Sequence, residues 1–318
     1  MALILREADV QQLIEMDDVI AAVEAAMKEL GEGKASNEPR RRAFPPGGTL
    51  NVMFASYPGG GCTGLKAYTV ANGKARFAVL IFGLDGALQA MIEADFMGSY
   101  RTGAATAVAA RALGPRDGPA TVAMIGTGWQ ARSQALALSR VLEIKQLRAY
   151  SRKAEHREAF AAEQSEELGL DAVAVDSAEE AVRGADVVVA MTTSATPVLE
   201  SDWVEPHALV VGAGSNFSNR SEIPAALVER AQTVVVDQLV GAALESGDLI
   251  AAHQAGKFDW KSAVELGAVL AGRWERPHSR GITLFESHGM ALWDVAAATS
   301  VLAAARERGM SDELDFLE

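Results

Sequence analysis

Hydrophobic residues recur along this chain in three patterns, and the first predicts helices. Residues 17–31 carry apolar side chains at the spacing that lines one face of a helix: Val19, Ile20, Val23, Ala26, Met27 and Leu30. The acidic pair at 17 and 18 suits the partial positive charge of a first helical turn. The alanine-rich segment 102–113 predicts a second helix, which Gly114-Pro115 would end.

The second pattern consists of short apolar runs separated by glycine and proline, between residues 40 and 95. It predicts strands at 49–54, 64–70 and 77–82. Asp85-Gly86 stands between the last of these runs and another at 87–92, and this dipeptide favours the tight turn of a β-hairpin. The N-terminal part of the chain is therefore predicted to combine strands with helices.

From residue 120 onward, continuous apolar runs alternate with helical segments such as 128–142 and 153–167. The predicted strands are 120–125, 146–150, 172–175, 185–191, 207–212 and 232–236. This alternation is typical of a parallel sheet covered on both faces. The predicted fold class is therefore α/β, with a doubly wound parallel sheet of the Rossmann type.

The last apolar segment, 288–309, predicts a long helix whose composition is closer to that of 102–113 than to the Rossmann part. We therefore expect this helix to pack back on the N-terminal domain. The predicted domains are an α/β domain made of residues 1–113 with 289–318, and a Rossmann domain made of residues 114–288.

Composition and charge narrow the function. The 318 residues carry a formal net charge of -13, which argues against a nucleic-acid-binding surface and makes Arg40-Arg41-Arg42 a local exception. The single cysteine, Cys62, excludes an internal disulfide and fits a reducing compartment. Apolar runs are too short for a signal peptide or a membrane span, so we expect a cytoplasmic protein with no membrane partner. The five histidines lack metal-ligand spacing, and no metal site is predicted.

A glycine-rich turn, Gly126-Thr127-Gly128-Trp129-Gln130-Ala131, stands between an apolar strand and a helical segment. Gly126 would permit the tight turn, Gly128 the approach of a pyrophosphate to the backbone, and Ala131 close packing of the helix on the strand. The helix N-terminus would add amide donors and partial positive charge for the phosphates. The turn predicts a dinucleotide site, and the alternative is a strand-helix turn without a ligand.

The end of the second Rossmann strand bears on the choice of cofactor. NAD sites usually place an acidic residue there, which bonds the ribose 2′-hydroxyl. This chain has Ser151-Arg152-Lys153, a hydroxyl and two cations that would suit a 2′-phosphate. NADP(H) is therefore favoured over NAD(H), unless Arg152 and Lys153 merely begin a helix. Thr192 and Thr193, which follow strand 185–191, either line the cofactor or cap a turn.

Seven sequence blocks follow one another along nearly the whole chain. They are Pro39-Arg40 with the strand ending in Val52-Met53, Gly64-Leu65-Lys66, Arg101-Thr102-Gly103-Ala104, the glycine turn, Glu245-Ser246-Gly247-Asp248-Leu249, Glu265-Leu266-Gly267 and Leu284-Phe285-Glu286-Ser287-His288-Gly289. In this order they resemble the blocks of the ornithine cyclodeaminase/mu-crystallin family. The resemblance implies a homodimer whose N-terminal domain, closed by the C-terminal helix, binds the substrate and forms the dimer. It also implies hydride exchange between nicotinamide and the α-carbon of a small amino or imino acid.

The resemblance further implies that two arginines hold the substrate carboxylate, namely Arg40 and Arg101. Arginine suits this role because its guanidinium matches a carboxylate with two hydrogen bonds. Arg41 or Arg42 would take the place of Arg40 if the register shifts. Arg101 precedes the predicted helix 102–113, and we expect the backbone amides of that helix start to add to the attraction.

Lys66 would protonate or polarise the imine nitrogen in such an enzyme, since burial tunes the pKa of a lysine readily. Its position between Leu65 and Ala67 would by itself suit an exposed strand lysine. Three further residues of the matching blocks are expected to contact the cofactor: Thr102, Ser287 and Gly289.

The sequence departs from the family pattern at two positions. Ornithine cyclodeaminases have an aspartate after the fifth Rossmann strand that supports cyclisation, and Asn216, which occupies this position, cannot accept a proton. Glu286 stands where relatives usually have lysine. Near the nicotinamide its charge would alter substrate preference, and the alternative, which we favour, is a surface change. We interpret His288 as a loop histidine with satisfied hydrogen bonds rather than a proton relay.

The hypothesis that follows is an NADPH-dependent imine (ketimine) reductase or amino-acid dehydrogenase, with Lys66 and Asn216 as candidate catalytic residues. One alternative is an ornithine or lysine cyclodeaminase. Another is a non-catalytic, crystallin-like NADP(H)-binding protein.

Overall fold

The computed structural model describes residues 2–115, 118–277 and 281–314. The chain divides into two compact units, and each is described by itself. The first unit runs to Ala105 and resumes at Met290, and the second unit is Thr106–Gly289. The predicted boundary at residues 113 and 114 lies further along the chain than the boundary between these units.

The first unit contains two N-terminal helices and a mainly antiparallel sheet, in which the first and seventh strands pair in parallel. Its elements up to the unit boundary are β1 (Ala2–Leu5), α1 (Glu7–Leu13), α2 (Met16–Glu32), β2 (Ser36–Asn37), β3 (Arg41–Ala43), β4 (Gly48–Tyr57), β5 (Cys62–Ala71), β6 (Lys74–Gly83), β7 (Leu88–Glu93) and α3 (Asp95–Leu113). Strands β4 to β7 form a meander in which Lys66 of β5 pairs with Met53 of β4 and Val79 of β6. The predicted helix 17–31, the predicted strands and the hairpin at Asp85-Gly86 are confirmed.

Helix α3 begins seven residues before the predicted start at residue 102. The carboxylate of Glu7, far away in sequence, accepts hydrogen bonds from the backbone amides of Asp95 (2.7 Å) and Phe96 (2.9 Å). These bonds satisfy amides that a helix start leaves without partners inside the helix, and a local pattern does not reveal them. Arg101 therefore lies in the second turn of the helix, and the expectation that it sits at a helix start was wrong.

The second unit is the predicted doubly wound sheet. Its elements are β8 (Ala120–Ile125), α4 (Trp129–Ser139), β9 (Ile144–Tyr150), α5 (Ala154–Leu168), β10 (Ala172–Ala174), α6 (Ala178–Val182), β11 (Val187–Ala190), β12 (Leu209–Gly212), α7 (Ala225–Arg230), β13 (Thr233–Val236), α8 (Leu239–Glu245), α9 (Gly247–Gln254), β14 (Val264–Glu265), α10 (Leu266–Leu270) and β15 (Thr283–Glu286). The strand order is β10-β9-β8-β11-β12-β15-β13-β14, and every neighbouring pair is parallel. The α/β fold class is confirmed.

Strand β15 is the main element of this sheet that the sequence pattern did not predict. It inserts between β12 and β13, with Gly212 and Val236 both in register with Glu286. All four of its residues are buried, as are all residues of β8, β11, β12 and β13. The carboxyl ends of these strands form the sheet edge where open α/β sheets bind ligands.

The chain ends in the first unit with α11 (Ala291–Glu307) and β16 (Glu313–Leu314). Helix α11 packs on α2, β4 and β5, and β16 pairs antiparallel with β1. Helix α11 thus lies in the same unit as the N-terminal strands and helices. No helix in the described ranges is both long and apolar enough to span a membrane.

Candidate active site

In the first unit, three charged side chains from three different elements meet in the interior. Lys66 of β5 donates from Nζ to Oδ1 of Asp294 on α11, over 2.7 Å. Nε of Arg101, on α3, lies 3.2 Å from the same oxygen. The side chains of Lys66 and Asp294 are 3% and 0% exposed. Lys66 is therefore a buried lysine with a charged partner, and the alternative of an exposed strand lysine was wrong.

The three consecutive arginines before β4 have different environments. Arg40 is buried, and its charge acts on Lys66 by lowering the pKa of the lysine. Arg41 is exposed. Arg42 is half-buried, and its Nε donates to the side-chain oxygen of Asn51 over 3.1 Å. Among the three, Arg40 is the guanidinium that acts on the Lys66 cluster.

The charges of this cluster do not balance among themselves. Lys66, Arg40 and Arg101 carry three cationic groups and Asp294 a single carboxylate. Burial is the main reason that the pKa of Lys66 falls to about 8; the two arginines lower it further, and Asp294 raises it. Three cationic groups close together in an interior attract an anion, so this cluster is suited to binding one.

The walls around Lys66 are apolar and closely packed. A Cβ atom at Gly98 of α3 would lie 3.2 Å from Nζ. The rings of Tyr68 and Phe77 stack with centroids 5.1 Å apart, and the Phe77 centroid is 5.1 Å from Nζ. Aromatic faces attract cations and exclude water, which strengthens the electrostatic interactions inside the cluster.

Two residues here differ from what the sequence suggested. Asp294 was not predicted, although an acidic residue within the apolar segment MALWDVAAA (290–298) indicates a buried carboxylate with a partner. Thr102 was predicted to contact the cofactor, but its hydroxyl donates to the carbonyl oxygen of Gly98 within α3 (2.8 Å). The cofactor role of Thr102 stays a prediction.

In the second unit, the glycine turn joins β8 to α4. Gly126 has a φ of 100°, and a Cβ there would lie 2.3 Å from the carbonyl oxygen of Met191. Gly128 directly precedes α4, and a Cβ there would meet nothing within 4 Å. Ala131 is fully buried, and Trp129 is half exposed. The backbone thus turns tightly at Gly126 and leaves open space beside Gly128, where the amides of the helix start suit a phosphate.

A cavity of about 620 Å³ opens along this turn and the ends of β9 and β11. Its lining consists of Ile125, Gly126, Thr127, Gly128, Tyr150, Ser151, Arg152, Lys153, His156, Met191, Thr192, Thr193, Ser194, Ala195, Thr196 and Val198. The hydroxyl of Thr127 donates to that of Ser151 over 2.9 Å. As far as the described residues go, this lining contains no Asp or Glu. The size, the open turn and the cations at its rim fit a dinucleotide phosphate.

Several predicted site residues lie in the second unit but do not line this cavity. Ser287 is buried directly after β15, and the backbone amide of Gly289 donates to Oδ2 of Asp237 over 2.9 Å. Asn216 is half-buried in the loop after β12. In that loop the carboxylate of Glu222 accepts hydrogen bonds from the amides of Thr192 and Gly214. The site roles of Asn216, Ser287 and Gly289 stay predictions.

Glu286 and His288 form a buried cluster of ionisable side chains with Asp237. Glu286 is 1% exposed, so the expectation of a surface change was wrong. Nε2 of His288 lies 3.4 Å from Oε2 of Glu286, and its Nδ1 lies 3.8 Å from Oδ1 of Asp237. The hydroxyl of Ser246 also donates to Oε2 of Glu286 (3.1 Å). Burial lowers the pKa of His288, but the two carboxylates outweigh this effect and raise the pKa to about 10. Burial raises the pKa of Glu286 to about 8.

Within the described residues, no three His, Cys, Asp or Glu side chains are grouped so that they could hold a metal ion. His278, one of the five histidines considered in the sequence, lies outside those residues. Cys62 is buried, and burial raises the pKa of its thiol to about 11. The candidate chemistry therefore rests on the cation cluster and the glycine turn.

A family model decides to which family the chain belongs. The model of the ornithine cyclodeaminase/mu-crystallin family matches residues 1–309. The chain belongs to this family. Among curated proteins, the Δ1-pyrroline-2-carboxylate reductase of Bacillus cereus is 30% identical over an alignment of 327 positions. The alignment covers 99% of this chain and 100% of the relative.

Two solved structures are similar over nearly the whole chain. One is the Δ1-pyrroline-2-carboxylate reductase of Thermococcus litoralis in complex with NADH and L-proline, with a TM-score of 0.92, 30% identity and coverage of 98% of this chain and 100% of that one. Another is an archaeal alanine dehydrogenase dimer with bound NAD, with a TM-score of 0.92, 30% identity and coverage of 99% of both chains. Both are oxidoreductases of amino or imino acids.

Proposed function

We propose that this family member is a nicotinamide-dependent reductase of the C=N bond in a small α-imino acid, which in reverse oxidises the corresponding amino acid. The observation that carries the proposal is the buried pair of Lys66 and Asp294, which Arg101 joins at the same oxygen and on whose lysine Arg40 acts. The reductases and the dehydrogenase among its relatives support the same class of reaction. When bound, the reduced nicotinamide supplies the hydride that adds to the imine carbon.

The substrate carboxylate would be held by Arg40 and Arg101. Charge-assisted hydrogen bonds from guanidinium groups are strong, and the apolar walls of the cluster keep water from competing. A substrate carboxylate would be attracted by all three cationic groups, so we expect the cluster to select acids.

Lys66 would give a proton from Nζ to the imine nitrogen as the imine carbon is reduced. The product is then the neutral amine, and Lys66 becomes the neutral amine that solvent reprotonates. A general acid works best when its pKa lies near the operating pH, and a pKa of about 8 meets this demand better than that of an exposed lysine. Reduction is therefore expected to slow above this pH.

We propose that the glycine turn holds the cofactor pyrophosphate and that NADP(H) is preferred over NAD(H). Support comes from Ser151, Arg152 and Lys153, which line the cavity at the end of β9, and from the lack of an acid in its described lining. The double variant Arg152→Ala/Lys153→Ala should raise KM for NADPH by about tenfold or more and leave KM for NADH nearly unchanged. Lys145→Ala, which removes an exposed lysine of the same strand, is the control. An equal effect on both cofactors would refute the preference.

Cyclodeamination of ornithine or lysine is the second candidate function, because the family includes such enzymes. Asn216 argues against cyclodeamination, since an amide cannot accept a proton from the second amine of the substrate. Two assays of the wild-type protein decide between these functions. One supplies Δ1-pyrroline-2-carboxylate with NADPH, and the other supplies ornithine with catalytic NAD. Reduction without ammonia release supports the reductase, whereas ammonia release from ornithine would overturn it. A chain without turnover in either assay would be a non-catalytic binding protein.

We propose further that the protein is a homodimer and that the open face of the β4–β7 meander forms its interface. One row of paired residues across this face is apolar, and none of its members is buried: Phe54, Leu65, Leu80 and Met91. An uncovered apolar sheet face is typical of an interaction surface. Light scattering should give the mass of a dimer for the wild type and for the control Leu84→Lys, and that of a monomer for Phe54→Lys. A monomeric wild type would refute the proposal.

A further inference from the structure

A single oxygen atom organises the cation cluster of the first unit. Oδ1 of Asp294 lies 2.7 Å from Nζ of Lys66 and 3.2 Å from Nε of Arg101. The three residues come from β5, α3 and α11, which are far apart in sequence. Two donors that share one acceptor are held at a fixed separation, so the ammonium and the guanidinium cannot move independently.

The other oxygen of this carboxylate shows how Asp294 acts. Oδ2 is buried and has no hydrogen-bond partner among the described residues, and the whole residue is 0% exposed. In this arrangement neither oxygen of Asp294 is exposed, and its hydrogen bonds go to Lys66 and Arg101. Lys66 and Arg101 keep slightly exposed side chains, at 3% and 11%. Any effect of Asp294 on a substrate must therefore pass through these two cations.

We propose that Asp294 is a positioning residue of the carboxylate- and imine-binding cluster, which through Oδ1 fixes the Lys66 ammonium and the Arg101 guanidinium at the separation that one substrate molecule requires. The inference rests on the proposed function and extends it to a residue of the C-terminal helix. It explains why a carboxylate is buried in the otherwise apolar segment 290–298 of the chain.

The electrostatic setting makes this role measurable. The charged and titratable groups that face Lys66 are Asp294 of α11, Arg101 of α3, Arg40 ahead of β3, and Tyr68 of its own strand; β6 contributes the uncharged ring of Phe77. Among these groups Asp294 alone raises the pKa of Lys66, against the effects of burial and the two arginines. Without its negative charge, Lys66 would lose its proton at a lower pH.

Two variants separate charge from position. Asp294→Asn keeps the shape and an acceptor oxygen but removes the charge. Asp294→Glu keeps the charge but displaces the oxygen by one methylene. For wild type and both variants, kcat/KM for Δ1-pyrroline-2-carboxylate and Kd for pyrrole-2-carboxylate are measured from about pH 4.5 to about pH 10. Thermal melts and NADPH affinity establish that each variant is folded.

For Asp294→Asn, the pH above which binding and turnover decline should fall by about one to three pH units. For Asp294→Glu, this pH should stay near that of the wild type, while kcat/KM falls at least about tenfold because the two cations are displaced. An unchanged pH profile in Asp294→Asn, or an Asp294→Glu variant with wild-type kcat/KM, would refute the proposal. If Asp294→Asn does not fold, Asp294→Glu decides alone.

Failure of the proposed function would look different. A wild type that reduces no imine refutes the reductase, but the pH dependence of pyrrole-2-carboxylate binding still reports on Lys66. In that case a lower pH limit for binding in Asp294→Asn than in the wild type upholds the positioning role, and identical limits refute it.

Discussion

Nζ of Lys66 lies 2.7 Å from Oδ1 of Asp294, although 228 positions separate the two residues in sequence. The pair joins the middle of the meander sheet to the helix that ends the chain. A buried ion pair is costly unless further bonds satisfy both partners, and Arg101 supplies one such bond to the same oxygen. Apolar side chains would meet a purely structural need at lower cost, so we expect this pair to serve function.

Replacing Lys66 tests its role as the proton donor. Lys66→Ala should lower kcat/KM for imine reduction by at least about 100-fold, the usual contribution of a general acid. Kd for NADPH, measured by fluorescence titration, should stay unchanged because the glycine turn is intact. Lys74→Ala removes an exposed lysine at the start of β6 and should retain full turnover. Turnover in Lys66→Ala close to that of the wild type would exclude the role.

The adjacent pair Arg40 and Arg41 provides a matched test of carboxylate binding. Arg40 is buried and acts on Lys66, whereas Arg41 is exposed. Arg40→Ala should raise KM for the imino acid by roughly 10- to 100-fold, since a hydrogen bond to a charged group contributes about 1.5–3 kcal/mol. Arg41→Ala should leave KM unchanged. The opposite result would mean that Arg41, and not Arg40, binds the substrate carboxylate.

The two glycines of the turn should respond differently to alanine. Gly128→Ala meets no atom within 4 Å, so the melting temperature should stay near that of the wild type while NADPH affinity falls, because the new methyl occupies the place of the pyrophosphate. Gly126→Ala has a φ of 100° and would clash with the carbonyl of Met191, so it should also lower the melting temperature. Wild-type NADPH affinity in Gly128→Ala would contradict the dinucleotide site.

Sequence patterns predicted the architecture well where the signals are local. The continuous apolar strands, the glycine turn and the Asp85-Gly86 hairpin all depend on neighbouring residues, and the structure contains them. The true start of α3 was missed because its amides bind the carboxylate of Glu7, which the local pattern of residues 95–102 does not include. Strand β15 lacks the run of valines that marks β11, β12 and β13, and it ends in the charged Glu286, so its composition did not indicate a buried strand.

The candidate site was predicted only as far as family motifs reach. Arg40, Lys66 and Arg101 lie in matching blocks, and the structure brings their charges together. Asp294 has no local signal beyond its apolar surroundings, because its partners come from other elements. The burial of Glu286 was missed for the same reason, since Ser246 and His288 are brought to it by the fold.

The buried group around His288 should make stability depend on pH. The pKa of Glu286 is raised to about 8, so its contribution to stability is complete below the unfolded-state pKa of about 4.3 and is lost as pH rises through about 8. Between these limits the free energy of unfolding of the wild type should decline relative to that of Glu286→Gln, by an amount on the order of 1 kcal/mol or more. Urea unfolding at several pH values measures this difference. Glu155→Gln, an exposed change on α5, should run parallel to the wild type. Parallel curves for Glu286→Gln would contradict the assignment.

Transfer of hydride to the α-carbon is tested most directly with an isotope. The protein is incubated with Δ1-pyrroline-2-carboxylate and NADPH that carries deuterium at both hydrogens of nicotinamide C4, and the product is analysed by mass spectrometry and NMR. The reductase is expected to form proline with one deuterium, located at the α-carbon. Absence of proline, or proline without deuterium at that carbon, would contradict the proposed function.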